Sequence, residues 1–137
     1  MQKQSNKQTA LYCRTAHDCD FGIENQKNNL VNYAKAHGYT NLVIYIDNGF
    51  SGVTLDRPAF KMLQADIKAG VVSTVIVKSV SRVARNCFVL EQWIDKTTDM
   101  GVEVISLTEP DLFRPAMITI EVMGLFGTYA PKGGVLK

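Results

Sequence analysis

The stretch TVIVKSVSRVAR, residues 74–85, is the one from which the fold is most easily inferred. It begins with a short run of β-branched residues and passes, after Lys78, into a polar loop with two arginines. A run of this length and composition is typical of a buried strand rather than a helix. We therefore predict a strand over residues 73–78, which delivers Arg82 and Arg85 to one end of a sheet.

Apolar runs of the same kind lie on both sides of this stretch, at residues 9–12, 41–47 and 102–107. Between the runs, apolar residues recur at helical spacing, over residues 25–37, 58–69 and 87–100. Strands that alternate with helices at this spacing need right-handed crossovers, which make the strands parallel. The sequence predicts an α/β fold, a three-layer sandwich with a mainly parallel four-stranded sheet and helices on both faces.

The length of 137 residues and the hydrophobic content of 46% suit one domain, which we place at residues 9–110. We expect a disordered tail over residues 1–8 and a flexible end over residues 131–137. Between them, residues 111–130 form a predicted C-terminal helix, apolar around most of its circumference from Ala116 to Ala130. Such a helix exposes more apolar surface than the sheet can cover, so we expect it to pack against a second subunit.

Composition excludes several classes of protein. The net charge of +2 is too small to indicate a nucleic-acid partner by itself. The three cysteines have no CxxC spacing and only two histidines accompany them, so we expect reduced thiols, no metal and no cofactor. The polar N-terminus has no signal-peptide pattern, and no apolar run approaches the ~20 residues of a membrane helix. We expect a soluble cytoplasmic protein.

Charged and polar residues collect where the predicted strands end. Because the carboxyl ends of parallel strands meet at one edge of a sheet, these residues are expected to lie close together. They are Arg14, Asp47, Ser51, Asp56, Arg57, Arg82 and Arg85. Converging guanidinium groups repel one another unless an anion lies between them, and their planar forks match phosphate oxygens. The sequence therefore predicts a phosphate-binding site.

Each of these residues also has an ordinary structural explanation. A single arginine is more often a solvated or ion-paired surface residue than a ligand contact. Asp56 is placed to form a salt bridge with Arg57 or to cap the helix that opens at Pro58. Ser51 belongs to a turn, although its hydroxyl is also able to donate to a phosphate oxygen. Arg82 and Arg85 share one face only if their segment is helical.

Four motifs together resemble the catalytic domain of the serine recombinases, the resolvase/invertase family, and most of all its large-serine or transposon-type branch. They are LYCR (11–14), IENQKNNLVNYAKAHGY (23–39), YIDNGFSGVTLDRPAF (45–60) and TVIVKSVSRVARN (74–86). The resemblance covers about residues 10–107 in the family's order and spacing. It implies an enzyme that cleaves and rejoins DNA through a phosphoserine link without a metal.

The resemblance also implies roles for individual residues. The positions that match the family's phosphate-binding and activating residues are Arg14, Ser51, Asp56, Arg57, Arg82 and Arg85, and Gln26 and Asp47 match supporting positions. The family's nucleophilic serine stands two residues after the strand-one arginine, and here that residue is Ala16. A methyl group cannot attack phosphorus. Smaller departures are Ala84, where the family usually has glycine, and Ser79, where relatives often have an acidic residue.

Three other side chains have the chemistry to replace the missing serine. Thr15 points to the opposite side of an extended strand from Arg14 and Ala16, so it reaches the site only if the strand has already broken. Ser51 is a better candidate for phosphate contact than for attack. His17 is a lone histidine in a polar loop, where solvation is the usual outcome.

The chain ends in YAPKGGVLK, where the family's apolar helix continues into a DNA-crossing arm and a separate DNA-binding domain. We expect a recombinase catalytic domain without its nucleophile, which forms a homodimer or tetramer and binds DNA weakly and without sequence preference. The alternative is an interaction protein that dimerises with active recombinase subunits and regulates them. A nucleotide or flavin module is disfavoured because no GxGxxG motif or P-loop follows any strand.

Overall fold

The structure is a computed structural model and describes residues 7–110. The predicted C-terminal helix over residues 111–130 and the flexible end over residues 131–137 lie outside the described residues. Most of the predicted tail over residues 1–8 does so too, but Gln8 already belongs to the first strand.

Strands and helices alternate along the described chain. They are β1 (Gln8–Thr15), α1 (Asp20–Ala36), β2 (Leu42–Asn48), α2 (Pro58–Lys68), β3 (Val72–Val77), α3 (Cys87–Asp99) and β4 (Glu103–Ser106). A 3-10 turn, Val80–Arg82, lies between β3 and α3. The four strands form one sheet in the order β2-β1-β3-β4, and all neighbouring pairs are parallel. The predicted α/β fold and four-stranded parallel sheet are confirmed.

Two predicted elements have a boundary that differs from the structure by more than one residue. The first strand extends from Gln8 to Thr15 instead of covering residues 9–12, because its pairing with β2 continues through Arg14 and Thr15. The first helix begins at Asp20 instead of residue 25, since the Cys19 side chain accepts a hydrogen bond from the backbone N–H of Gly22. This cap adds a first turn that has no apolar periodicity to predict it.

The helices cover both faces of the sheet, as predicted. On one face, α1 packs its buried residues against alternate strand residues, in a cluster of Leu11, Cys13, Ile23, Leu30, Ala34 and Ile76. On the other face, α2 and α3 bury a larger cluster that includes Ala10, Tyr12, Phe60, Leu63, Val75 and Trp93. Burial on both faces explains why β1 has a continuous apolar run instead of an alternating one.

Alternation along β1 also decides where its last side chains lie. Tyr12 belongs to the cluster under α2 and α3, so Arg14, two residues on, points to the same side. Cys13 belongs to the cluster under α1, and Thr15 follows it to that side. At the carboxyl edge of the sheet, the side chains of Arg14 and Thr15 therefore lie on opposite faces. No helix within residues 7–110 is long and apolar enough to span a membrane.

Candidate functional site

Arg14 is the centre of the candidate site, and only 2% of its surface is exposed. Its Nη1 donates to the carbonyl oxygen of Phe50 at 2.7 Å, and its Nη2 donates to that of Ser81 at 2.8 Å. Its Nε donates to the carbonyl oxygen of Arg82 at 3.0 Å. Because these three acceptors belong to two loops, the guanidinium ties the loop after β2 to the loop after β3.

Gln26, a buried residue of α1, completes the backbone pairing of Arg14. The backbone N–H of Arg14 donates to Gln26 Oε1 at 3.1 Å, and Gln26 Nε2 donates to the carbonyl oxygen of Arg14 at 2.9 Å. Pairing between β1 and β3 ends at Tyr12 and Val77, so the amide side chain provides partners that β3 no longer offers. Gln26 therefore holds the backbone of Arg14 from the α1 side.

Arg57 is a second buried arginine, 1% exposed, and it is held in the same way. Its Nε donates to the carbonyl oxygen of Thr54 at 2.9 Å, and its Nη1 donates to that of Arg82 at 3.0 Å. Its Nη2 donates to the carbonyl oxygen of Val83, and Nη1 also donates to the hydroxyl oxygen of Tyr12 at 2.7 Å. Because these donors are bonded to protein oxygens, Arg57 holds the loop before α2 against the turn after β3 from within the core.

Asp47 connects this arginine to the start of α2. Its Oδ1 accepts from the backbone N–H of Ala59 at 2.9 Å, and its Oδ2 accepts from that of Phe60 at 2.9 Å. The Tyr12 hydroxyl donates to Asp47 Oδ2 at 2.7 Å. Burial, followed by this hydrogen bond, raises the pKa of Tyr12. Asp47 therefore supplies the helix cap, and the Arg57 guanidinium, 4.9 Å from the Phe60 ring centre, packs over the capped turn.

Tyr12 is a residue that the sequence analysis missed. It is fully buried and links Arg57 to Asp47 through one hydroxyl group. Its position two residues before Arg14 was the available signal, because alternate residues of a strand share a face.

Arg82 and Arg85 complete the cluster but are nearer the surface. Arg82 is half-buried and donates from Nη1 to the carbonyl oxygen of Arg14 at 3.3 Å, while Arg85 is exposed. The Arg82 Nε is buried and has no hydrogen-bond partner within residues 7–110. Burial, followed by the positive charges of Arg57, Arg82 and Arg85, lowers the pKa of Arg14. The four guanidinium groups thus form one electrostatic cluster.

Gly52 brings the two loops into close contact at this cluster. The backbone N–H of Arg85 donates to the carbonyl oxygen of Gly52 at 3.0 Å. A Cβ added at Gly52 would lie 2.6 Å from Arg14 Nη2 and 2.8 Å from Arg85 Cγ. Only a residue without a side chain fits between these arginines.

The arginines do not share one helical face. Arg82 ends the 3-10 turn and Arg85 lies in a bend before α3, so the helical face that would have joined them is absent. The surroundings of the four arginines also differ: the buried side chains of Arg14 and Arg57 donate to backbone carbonyl oxygens of the loops, whereas Arg85 is exposed. The arrangement combines two buried organising arginines with two arginines nearer the solvent.

Ala16 lies just after β1 in a bend and is exposed. Thr15, its neighbour, donates from Oγ1 to Asn48 Oδ1 at 2.7 Å and accepts from the backbone N–H of Gly49 at 3.3 Å. A Cβ added at Gly22 of α1 would lie 3.2 Å from Thr15 Cγ2, so this side chain faces α1. His17 is exposed in the same bend. Neither Thr15 nor His17 donates to the arginine cluster.

Ser51 and Asp56 lie on the exposed surface of the loop before α2. The Ser51 Oγ accepts from the backbone N–H of Val53 at 3.0 Å, which is the turn expected from the sequence. Asp56 pairs with Lys61 at 2.6 Å, and the hydrogen bond from Lys61 lowers the pKa of Asp56. Asp56 thus forms a salt bridge, but its partner is Lys61 instead of Arg57. The expected cap of α2 comes from Asp47 and not from Asp56.

The site gathers four guanidinium groups at one sheet edge, and positive charge of this kind suits an anion with several oxygens. No group of three or more histidine, cysteine or acidic residues within residues 7–110 is arranged to hold a metal ion. Arginine forks at such an edge are chemically suited to bind a phosphate and to stabilise its charge.

Comparison with known proteins assigns the chain to a family. The family model described as "Resolvase, N terminal domain" matches residues 9–130. A comparison with curated proteins returned no match.

Solved structures agree with the family match. The N-terminal catalytic domain of TP901-1 integrase is 29% identical, with a TM-score of 0.72 over 90% of this chain and 100% of that one. A resolvase family site-specific recombinase from Streptococcus pneumoniae is 27% identical, with a TM-score of 0.69 over 88% of this chain and 85% of that one. The catalytic domain of ISC1926 TnpA, an IS607-like serine recombinase, is 26% identical, with a TM-score of 0.67 over 94% and 92% of the two chains. The chain therefore belongs to the resolvase family of site-specific serine recombinases and corresponds to their catalytic domain.

Proposed function

We propose that this chain is a serine recombinase catalytic domain whose arginine cluster binds a DNA phosphate but which forms no phosphoserine link. The observation that carries the proposal is the exposed methyl group of Ala16, two residues after the buried Arg14. In the family that this chain belongs to, the nucleophilic serine stands at that position.

The phosphate half of the proposal rests on charge. Arg14 and Arg57 are buried, and both donate to the carbonyl oxygen of Arg82, in the loop that also carries Arg85. Burial, followed by repulsion from the other three arginines, lowers the pKa of Arg14, and an anion that enters the cluster offsets the repulsion. Arg82 and Arg85 are the residues nearer solvent, so we assign them the direct phosphate contacts.

The missing nucleophile is not replaced by a neighbour. Thr15 points toward α1 and its hydroxyl is already bonded to Asn48. Ser51 is exposed, but its oxygen is bound to the backbone of its own turn. A replacement nucleophile needs a base within hydrogen-bond reach, and the partners of these two hydroxyl groups are an amide oxygen for Thr15 and a backbone N–H for Ser51, neither of which is a base.

The proposed partner is the phosphate backbone of DNA, together with other subunits of the same family in a dimer or tetramer. Phosphate contacts position a protein on DNA but carry no sequence information. Binding by a few arginines is therefore expected to be weak, similar for different sequences and steeply dependent on salt.

Titration of the chain with a short DNA duplex and, separately, with inorganic phosphate tests the binding half. Replacing Arg82 or Arg85 by glutamine should weaken duplex binding for every sequence and reduce the salt slope by about one for each lost contact. Replacing Lys35, an exposed residue in the last turn of α1, is the matched control. Equal effects in all three variants would contradict a site at the arginine cluster.

The combination of a formed arginine cluster with an alanine at residue 16 also favours a second function. A domain that retains its family's fold but cannot attack DNA is suited to pair with active recombinase subunits and inhibit them. Adding the chain to an active relative should then reduce recombination in proportion to the fraction of mixed assemblies. Unchanged recombination at a large excess of the chain would exclude this regulatory role.

A further inference from the structure

The Glu109 side chain connects the end of β4 to the 3-10 turn of the candidate site. Its Oε1 accepts from the backbone N–H of Val80 at 3.2 Å and from the Ser106 hydroxyl. The chain after β4 already runs beside the chain after β3, since Thr108 N donates to the carbonyl oxygen of Lys78 at 3.1 Å. Glu109 extends this pairing from the sheet to the first residue of the turn.

The turn that Glu109 reaches is the one on which both buried arginines depend. Its residue Ser81 offers a carbonyl oxygen to Arg14, and the carbonyl oxygen of Arg82 accepts from both Arg14 and Arg57. The same turn carries the Arg82 side chain. A displacement of this short segment therefore moves one arginine and removes the acceptors of two others.

The start of the turn has an N–H group that its own cap does not satisfy. Ser79 is the cap residue, but its side chain makes no capping hydrogen bond and instead lies 2.8 Å from the Ser81 hydroxyl. An unpaired N–H at the start of a helical turn is costly when it is partly buried, and a carboxylate is a strong acceptor for it. The Glu109 carboxylate takes the place of the missing cap.

We propose that Glu109 is a positioning residue, which holds the Val80–Arg82 turn from the β4 side and so sets the position of Arg82 and of the carbonyl oxygens that seat Arg14 and Arg57. Its importance for DNA binding rests on the function proposed above, whereas its effect on the arginines does not. Burial acts to raise the pKa of Glu109, but hydrogen bonds from Ser106, Val80 and Thr108 lower it overall. The carboxylate is therefore ionised at neutral pH, as a strong acceptor must be.

Proton exchange at the side-chain Nε–H of Arg14, which donates to the carbonyl oxygen of Arg82 in the turn, tests this role when measured by nuclear magnetic resonance on the 137-residue chain. In Glu109→Ala, we expect this exchange to be at least about fivefold faster than in the unaltered chain, the factor typical of one lost hydrogen bond. The Nε–H of Arg57, which donates to Thr54 outside the turn, should change less. Glu109→Gln keeps an acceptor oxygen at the same reach and should restore most of the protection. Glu91→Ala, at an exposed carboxylate on α3, should change nothing. Unchanged exchange in Glu109→Ala would overturn the proposal.

A second comparison covers the case in which Glu109→Ala does not fold. Glu109→Asp keeps the charge but is one methylene shorter, so it should protect the Nε–H of Arg14 less well than Glu109→Gln. Equal or better protection in Glu109→Asp would refute a role that depends on reach to Val80. Titration with inorganic phosphate runs in parallel: if the unaltered chain binds no phosphate, the proposed function fails, while the exchange data still decide the role of Glu109.

Discussion

Arg14 and Arg82 donate to each other's backbone: Arg14 Nε reaches the carbonyl oxygen of Arg82 at 3.0 Å, and Arg82 Nη1 reaches that of Arg14 at 3.3 Å. Two side chains of like charge are thus held side by side by the dipoles of each other's peptide groups. This exchange joins the end of β1 to the turn after β3. It allows a cluster of positive charge to persist in the folded domain without a carboxylate between these two arginines.

Replacing Arg14 by lysine tests whether the fork of donors, and not the charge alone, holds the two loops. Lysine keeps the charge but cannot reach the carbonyl oxygens of Phe50, Ser81 and Arg82 together. We expect a loss of about 2–4 kcal/mol in the free energy of unfolding, measured with urea, because three part-buried acceptors lose partners and a buried charge loses its hydrogen bonds. Arg85→Lys, at an exposed position, should change this free energy by less than ~0.5 kcal/mol. Similar values for the two variants would contradict the structural role of Arg14.

Gly52→Ala should disturb the same cluster by crowding. The added methyl group would lie 2.6 Å from Arg14 Nη2 and 2.9 Å from Arg14 Cζ, and three carbonyl oxygens prevent this guanidinium from moving away. We expect a loss of about 1–3 kcal/mol in the free energy of unfolding, the usual cost of overpacking. Gly22→Ala is the comparison, since its nearest contacts are looser, at 3.2 and 3.3 Å, and alanine favours helix α1. An equal loss in both variants would argue against a specific clash at Gly52.

Tyr12→Phe tests the link between Arg57 and Asp47. The change removes one hydroxyl that donates to Asp47 and accepts from Arg57, and leaves both of these buried groups short of a partner. We expect a loss of about 1–3 kcal/mol in the free energy of unfolding. Tyr39→Phe removes a peripheral hydroxyl bonded to Glu103 and should cost less than ~0.5 kcal/mol. If Tyr12→Phe is as stable as the unaltered chain, the buried link has no energetic importance.

The buried thiol of Cys13 predicts how stability depends on alkaline pH. Burial raises the pKa of Cys13 from 9.0 to about 12. A raised pKa means that the folded state holds the proton more tightly, so this stabilisation is complete below pH 9 and is lost as the pH rises toward 12. We expect the free energy of unfolding to fall by about 1 kcal/mol between pH 9 and pH 10, because one proton contributes ~1.4 kcal/mol per pH unit. Urea unfolding of Cys13→Ala should show a flatter dependence over this range, and an identical slope would refute the assignment.

The fold was predictable from the sequence because each element has a strong local pattern. Runs such as residues 73–78 have the length and composition of buried strands, and the helices between them end at glycines. The parallel sheet then follows from the alternation of elements. The errors were at ends, where Arg14 continues β1 by backbone pairing and Cys19 caps α1, since neither contact has an apolar periodicity.

The candidate site was predictable in its residues but not in its geometry. The carboxyl ends of parallel strands meet at one sheet edge, and this argument together with the family resemblance predicted one site for Arg14, Arg57, Arg82 and Arg85. Neither indicates that Arg14 and Arg57 point inward, because their acceptors are backbone carbonyl oxygens, which any residue carries. Tyr12 and Glu109 act through hydrogen bonds to residues more than 25 positions away along the chain. A single sequence does not reveal such distant contacts.

The most direct test of the account is a search for covalent protein–DNA adducts after incubation of the unaltered chain with a supercoiled plasmid that carries a related element's crossover site. An active relative on the same plasmid provides the positive control, and Ala16→Ser tests whether the arginine cluster can use a restored hydroxyl. We expect the unaltered chain to form no adduct, on denaturing gels or by peptide mapping, because Ala16 has no nucleophilic atom. An adduct of the unaltered chain that maps to Thr15 or Ser51 would contradict it and identify an active recombinase with a displaced nucleophile.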